Sequence, residues 1–243
     1  MACEAISRCS SVPQQAILCP TMHCLITAGP TYESLDKVRR LTNFSTGRLG
    51  SDLAGALKAT GHEVTLLLGE QATWGGPFGG LDVRRFSTTA HLLERFQEAK
   101  SQGVGAVFHA AAVSDFTFGN VYERDESGGL LEVRGGKLST RRGSLLAELV
   151  PTPKLIGQLR ALFPAAALVG WKYEVDEGRD QAVDRARQQM VDNRTDGCVV
   201  NGPAYGVGFG WLRQSAPQEV RPVEDSAALL RLLCGWVDAG CPG

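Results

Sequence analysis

Two nearby segments carry the side chains best suited to chemistry. Thr27-Ala28-Gly29-Pro30-Thr31 closes the apolar run Leu25-Ile26, and Asn43-Phe44-Ser45-Thr46-Gly47-Arg48-Leu49-Gly50 follows it. The first reads as a buried strand ending in a Gly-Pro turn. The second is a run of small hydroxyl and amide side chains leading into a helix. Strand, loop and helix start together form an anion-holding arrangement, because the first turn of a helix offers unpaired N–H groups and a partial positive charge. Gly29 sits at the turn. Read more plainly, Ser45 is a helix N-cap. The three-glycine turn of the dinucleotide fingerprint is absent.

A third segment, Ala110-Ala111-Ala112-Val113-Ser114-Asp115, ends another apolar run. Small side chains at a strand end let a ring or a phosphate approach the backbone closely. Asp115 then offers an acceptor for a ribose, a base amine or a hydrated cation. The same residues also suit a tight turn with an Asx cap. Gly170-Trp171-Lys172 and Asn201-Gly202-Pro203 are two further strand ends, and in open parallel sheets ligands gather beyond such ends.

The elements that must position these residues alternate. Strands are expected at His23 to Thr27, Glu63 to Leu68, Leu81 to Phe86, Gly105 to Ala111, Ala166 to Trp171 and Gly197 to Asn201. Helices are expected at Ser51 to Thr60, Thr89 to Gln102, Pro153 to Leu162, Arg179 to Asn193 and Ser226 to Val237, the last with Ser226 as N-cap. This rhythm predicts an α/β fold: a doubly wound, Rossmann-like, mostly parallel sheet covered on both faces. Residues 117–142, rich in Gly, Glu and Arg, break the period and read as a hairpin or flap. Tyr205 to Arg221 reads as a terminal antiparallel hairpin. With no repeat and no linker, residues 23–243 are expected to form one domain, preceded by a poorly ordered lead-in over 1–22 in which Met22 is an alternative start.

Composition narrows the class. The chain has 243 residues, 43% hydrophobic and 21% charged, with a formal net charge of -1, which makes no electrostatic case for nucleic-acid binding. Apolar runs such as Val64 to Leu68 and Ala165 to Val169 are too short to cross a bilayer. The seven cysteines show no C-x-x-C spacing, so free thiols in a reducing cytoplasm are the expected state. No metal-ligand cluster is visible.

Taken together, Thr27 to Thr31, Asp36-Lys37-Val38-Arg39, Asn43 to Gly50, Ala110 to Phe116 and Lys137-Leu138-Ser139 closely resemble phosphopantothenoylcysteine synthetase, the phosphopantothenate–cysteine ligase family. That family forms the second portion of a bifunctional coenzyme A biosynthesis flavoprotein in many bacteria and a separate enzyme in eukaryotes. The resemblance runs from about His23 to Val237, in the family's order, and is to the free-standing form, with no flavin expected. It implies that a nucleoside triphosphate activates the carboxylate of 4′-phosphopantothenate as an acyl-nucleotide and that the cysteine amine then attacks. It further implies Mg²⁺ carried with the nucleotide, a cytoplasmic homodimer, and no membrane or nucleic-acid partner.

By resemblance, Asn43 and Lys137 are the catalytic residues, with Lys137 in the flap. Gly29, Ser45, Thr46, Gly47, Arg48, Ala110, Ala111, Ala112, Asp115, Thr152, Pro153, Lys154, Leu155 and Trp171 correspond to nucleotide-binding positions. Trp171 takes the place of an aromatic flanking the base, and as a plain residue it is a core plug. Bacterial fused members carry a lysine-rich flap and lysines on the late helix, where this chain has Lys137-Leu138-Ser139-Thr140 and Arg185, Arg187, Gln189 and Asn193. Lys172 and Asp184 to Arg187 look more like eukaryotic members, which favours ATP over CTP.

Two rivals are weighed. A nicotinamide-dependent short-chain dehydrogenase would place its glycine turn directly after the first strand, and Thr46 to Gly50 comes about twenty residues late for that. It also needs a Tyr with Lys four residues on, which none of Tyr32, Tyr122, Tyr173 and Tyr205 has. A non-catalytic nucleotide-binding relative of the same fold is the alternative that the altered flap and late helix keep open.

Overall fold

The computed structural model describes residues 21–76, 78–139 and 144–241. Most of the lead-in expected over 1–22, and the last residues of the expected 117–142 flap, lie outside these. The main sheet has eight strands. β1 (His23–Ala28), β4 (Glu63–Gly69), β5 (Asp82–Phe86), β6 (Ala106–His109), β10 (Ala167–Tyr173) and β11 (Gly197–Asn201) run parallel. β12 (Phe209–Arg213) and β13 (Arg221–Val223) add an antiparallel edge, the expected hairpin. The order is β13-β12-β11-β10-β6-β1-β4-β5. The chain therefore leaves β1 for β4 and β5 on one side, then returns to β6, β10 and β11 on the other. The crevice between β1 and β6 is the topological switch point of a doubly wound sheet.

β1 is buried along its whole length because both of its faces are covered. On one face α1 (Arg48–Ala59) and α5 (Ser226–Asp238) enclose Ile26, Leu66, Phe108 and Val199. On the other, α2 (Thr89–Ala99) and α3 (Ile156–Leu162) pack on Leu25, Leu67 and Val107. α4 (Arg179–Asn193) covers Cys198, Val200 and Leu212 beside them. Leu53, Ala54 and Leu57 supply the buried stripe of α1, and Leu92 and Phe96 that of α2.

Several boundaries differ from the sequence reading. α5 is capped by Asp225, whose carboxylate accepts from the Ala228 N–H at 2.7 Å, and not by Ser226. α3 begins at Ile156, so Pro153, Lys154 and Leu155 form the turn before it. The flap is a three-stranded antiparallel sheet, β8-β7-β9, with β7 at Phe116–Arg124, β8 at Leu130–Glu132 and β9 at Leu145–Pro151, so it reaches past residue 142. A small hairpin of β2 (Tyr32–Ser34) and β3 (Arg40–Thr42), too short to show a sequence pattern, lies between the two motif segments.

Candidate functional site

The motifs meet at the switch point. Gly29 and Gly47 both have φ of 79°, a left-handed conformation suited to glycine. A Cβ on Gly47 would stand 3.1 Å from the Gly29 nitrogen, and one on Gly29 would stand 2.8 Å from the Ala72 Cβ, so the strand-end turn packs closely against its neighbours because both positions are bare. Gly47 is the N-cap residue of α1 and supplies no side-chain cap, which leaves Ser45 outside the N-cap position it was offered. The Arg48 N–H is directed to the Thr46 hydroxyl at 3.3 Å. The Arg48 guanidinium lies over the Trp74 ring, 4.6 Å from its centroid, and is exposed.

The Ala112 carbonyl is the junction of the two strand ends. It accepts from the Thr31 N–H at 3.1 Å and from the Asn43 carboxamide at 3.1 Å. The Ala112 N–H donates to Gly29 at 3.0 Å, and the Thr31 hydroxyl accepts from the Ser114 N–H at 2.8 Å. Asn43 is thereby fixed at the crevice while staying exposed. Its neighbour Phe44 is fully exposed, at 104% relative accessibility.

On the α3 side of this junction lies a cleft of about 280 Å³ lined by Ala111, Asp115, Thr152, Pro153, Lys154, Leu155 and Trp171 among others. Seven of the residues chosen from sequence thus surround one cavity, while Gly29, Asn43, Gly47 and Ala112 form the adjoining junction. Lys154 and Asp115 form an ion pair at the mouth, both side chains exposed. Ala110 is half-buried between His109 and Ala111. The Trp171 ring packs against the cluster holding Val169, Val199 and Trp211, as a core plug would, and its buried indole N–H has no partner among the described residues. Its carbonyl faces the cleft and accepts from Gln189 at 3.3 Å.

The flap is tied to the β2–β3 hairpin. Asp36 accepts from the Leu138 N–H at 3.1 Å, Arg39 donates to the Leu138 carbonyl at 2.8 Å, and the Lys37 N–H donates to Gly136 at 3.0 Å. Lys137 is exposed between these two anchored residues. The Arg39 guanidinium beside Asp36 holds its carboxyl well below the usual range. At the flap's base, the buried Glu33 accepts from the Thr89 N–H at 3.0 Å and from the Thr117 hydroxyl at 3.3 Å, linking the flap to the start of α2.

These motifs and this fold find counterparts. The family model described as DNA/pantothenate metabolism flavoprotein C-terminal domain matches residues 20–216. The chain belongs to this family. A coenzyme A biosynthesis bifunctional protein CoaBC from Thermococcus kodakarensis is 32% identical over 178 residues, 73% of this chain and 40% of that protein. The DNA/pantothenate metabolism flavoprotein from Streptococcus pneumoniae superposes with a TM-score of 0.79 at 28% identity, over 90% of this chain and 99% of that one. A Cab2 mutant in complex with phosphopantothenate-cysteine shares the fold, with a TM-score of 0.67 at 19% identity over 90% of this chain and 86% of that one. The chain spans under half the length of the curated relatives it matches.

Within this family domain, the sequence reading missed His109 and did not single out Gln189, and both line the cleft. His109 is buried, with Nδ1 2.9 Å from the Thr27 hydroxyl, which also accepts from the Ala111 N–H at 3.0 Å. Burial pushes its pKa down to about 4, so the ring is neutral at pH 7. Of the polar residues on α4, Arg185 pairs with Glu174 and Glu177, and Arg187 with Asp184. Gln189 alone of the four faces the cleft. Lys172 also lines it and pairs with Glu174 at 3.0 Å. Burial works against the Glu174 carboxylate, but Lys172 and Arg185 outweigh it and hold its pKa below the usual value.

Proposed function

We propose that the chain is a phosphopantothenate–cysteine ligase of coenzyme A biosynthesis. A carboxylate oxygen of 4′-phosphopantothenate attacks the α-phosphorus of a nucleoside triphosphate, and pyrophosphate leaves. The amine of cysteine then attacks the acyl carbon, loses its proton, and expels the nucleoside monophosphate to leave an amide. Family membership supports this reading, and one geometric observation carries it: Asn43 and the Ala110–Ala112 strand end share the Ala112 carbonyl at the switch point, beside a cleft sized for part of a nucleotide.

In this reading, Asp115, Lys154 and the Thr152–Leu155 turn hold the nucleotide. The Ser45–Arg48 helix start receives anionic oxygens. Asn43 donates to the acyl or phosphoryl oxygen without offering a competing nucleophile, and Lys137 offsets charge as the amine attacks. Fixed donors of this kind stabilise developing charge because they need no reorganisation during the reaction. The flap shields the acyl-nucleotide from water. The divalent ion arrives with the nucleotide as part of the substrate.

A homodimer belongs to the same proposal. Leu130, Leu131, Leu149 and Val150 are all exposed on the flap sheet, an apolar surface that a second copy would cover. ATP is the proposed nucleotide in preference to CTP. The test is pyrophosphate release by the purified chain with Mg²⁺ and 4′-phosphopantothenate, comparing ATP with CTP, with and without cysteine. Release that depends on phosphopantothenate, followed by the cysteine adduct, is expected. A folded protein that binds nucleotide and releases no pyrophosphate would instead be a non-catalytic relative.

A further inference from the structure

A second cavity, of about 780 Å³, lies away from the motifs, between α5 and the β12–β13 hairpin. β12 runs antiparallel to β11, with Arg213 opposite Gly197 at the start of that strand. The groove is thus displaced toward the end of the sheet opposite the switch-point crevice. Trp211, Leu232 and Trp236 give it an apolar floor, and the two indoles meet edge to face at 5.6 Å.

Three arginines from three different elements line this cavity: Arg213 on β12, Arg221 on β13 and Arg231 on α5. None of their guanidinium groups has a hydrogen-bond or ion-pair partner among the described residues. By contrast, Arg39, Arg48, Arg84, Arg95, Arg160 and Arg185 are each paired with a carboxylate. Glu219 is the one carboxylate in the lining, so the cavity carries an excess of two positive charges.

Gly235 lies on the same wall. It lies inside α5, where glycine costs about 1 kcal/mol relative to alanine. A Cβ there would meet nothing within 4 Å, so packing does not require it. It is exposed on the groove wall, where a longer side chain has room to enter the groove.

We propose that this groove is a binding site for an organic phosphate, with the arginines on the phosphate and the indole floor under an apolar body. The charges match, since a phosphate monoester carries about −1.5 to −2 at pH 7. Guanidinium forks suit its oxygens, and the volume falls in the range of small-molecule pockets, roughly 300–1,000 Å³. Convergence of the three arginines on one cavity favours a small molecule over an extended acidic peptide. Glu219, Arg221, Arg231, Gly235 and Trp236 all lie beyond the residues matched by the family model, so membership of the family does not assign this site.

The four tryptophans make the test selective, because Trp211 and Trp236 line the groove while Trp74 and Trp171 lie near the motifs. The full chain labelled with 5-fluorotryptophan is titrated with phenyl phosphate and followed by ¹⁹F NMR. Saturable shifts of Trp211 and Trp236 are expected, with at least tenfold weaker binding in an Arg213→Gln/Arg231→Gln variant. Gly235→Leu should fill the groove and abolish the shifts while keeping the fold, since leucine favours the helix. Shifts confined to Trp74 and Trp171, no saturable shift, or undiminished binding by the arginine variant would overturn the proposal. Equal affinity for inorganic phosphate would refute the organic body, and tighter binding of a triglutamate peptide would replace the small molecule with an acidic partner.

Discussion

The Leu138 N–H donates to the Asp36 carboxylate at 3.1 Å, across 102 positions of sequence, and the same carboxylate is paired with Arg39 at 2.6 Å. Arg39 in turn donates to the Leu138 carbonyl. One ion pair thus grips both polar groups of the residue next to Lys137. Asp36→Asn keeps size but weakens the pair with Arg39, so the flap should lose its anchor. If Lys137 serves the cysteine step, adduct formation should fall by up to ~10²-fold, the scale of a misplaced catalytic group. Pyrophosphate release with phosphopantothenate should fall far less. Equal loss in both half-reactions would place Lys137 in the activating step as well.

Asn43 gives the complementary expectation. Its carboxamide donates to the Ala112 carbonyl, and a carboxylate in its place would face that carbonyl with no proton to give. Asn43→Asp also adds a negative charge where anionic oxygens are proposed to sit. Turnover should drop by ~10²-fold or more, the scale for removing an oxyanion donor. Lys137→Gln should slow mainly the cysteine step. Steady-state and single-turnover kinetics of both variants check this, and wild-type turnover in both would remove these residues from the site.

The fold was largely legible because buried parallel strands such as Val64 to Leu68 are continuous apolar runs, and α1 and α2 carry apolar stripes at helical spacing. The β2–β3 hairpin was not, since its strands are three residues long and β3 is wholly exposed, leaving no alternation to read. The segments proposed to receive anions were legible from their residue types, but their meeting with the β6 end was not. The hydrogen bonds between the Gly29–Thr31 turn and Ala112 depend on β6 lying beside β1, a sheet order that no local pattern encodes. His109 was passed over because a lone histidine ending an apolar strand reads as core, and here it is both buried and a lining residue of the cleft. Trp171 shows the limit differently: strand alternation fixes that it shares a face with Val169, and only the structure shows that this face is the core.

His109 predicts a pH dependence. Burial lowers its pKa from 6.5 to about 4 in the folded state. Between those values the unfolded chain binds the proton and the folded chain does not, so acidification through this window favours unfolding. Above pH 6.5 both states are neutral and the group contributes no slope. Its part of the loss should reach at most about 1.4 kcal/mol per pH unit. Denaturant melts from pH 7.5 to 4.5 should show a shallower decline in His109→Gln than in the natural chain, and parallel declines would contradict the neutral buried ring.

Gly47 predicts a cost confined to the helix start. An alanine there would hold φ at 79° and bring its Cβ to 3.0 Å from the Ala72 Cβ. The left-handed penalty alone is about 1–2 kcal/mol. Gly47→Ala should therefore lower the unfolding free energy by at least that much in urea, and weaken nucleotide binding if the helix start receives phosphate. Lost stability with unchanged nucleotide affinity would leave Gly47 a purely structural residue.

The flap sheet carries the last prediction. Phe118 pairs with Leu149 and Thr117 with Val150 across β7 and β9, and β9 is exposed from Ala147 onward. A strand with this much free apolar surface invites a partner, because unburied sheet faces and edges associate readily. A stable contact buries about 800 Å² on each side, an area to which the flap sheet can contribute. Light scattering on the eluted protein should therefore give a dimer, and Leu149→Lys, which sets an ammonium into that surface, should give a monomer with its fold intact. If activity needs residues from both copies, the monomeric variant should lose turnover while the cleft proposed to take the nucleotide, built within one chain, still binds it. A natural chain that elutes as a monomer at micromolar concentration would end the dimer proposal, and full activity in the monomeric variant would show that each site is complete in itself.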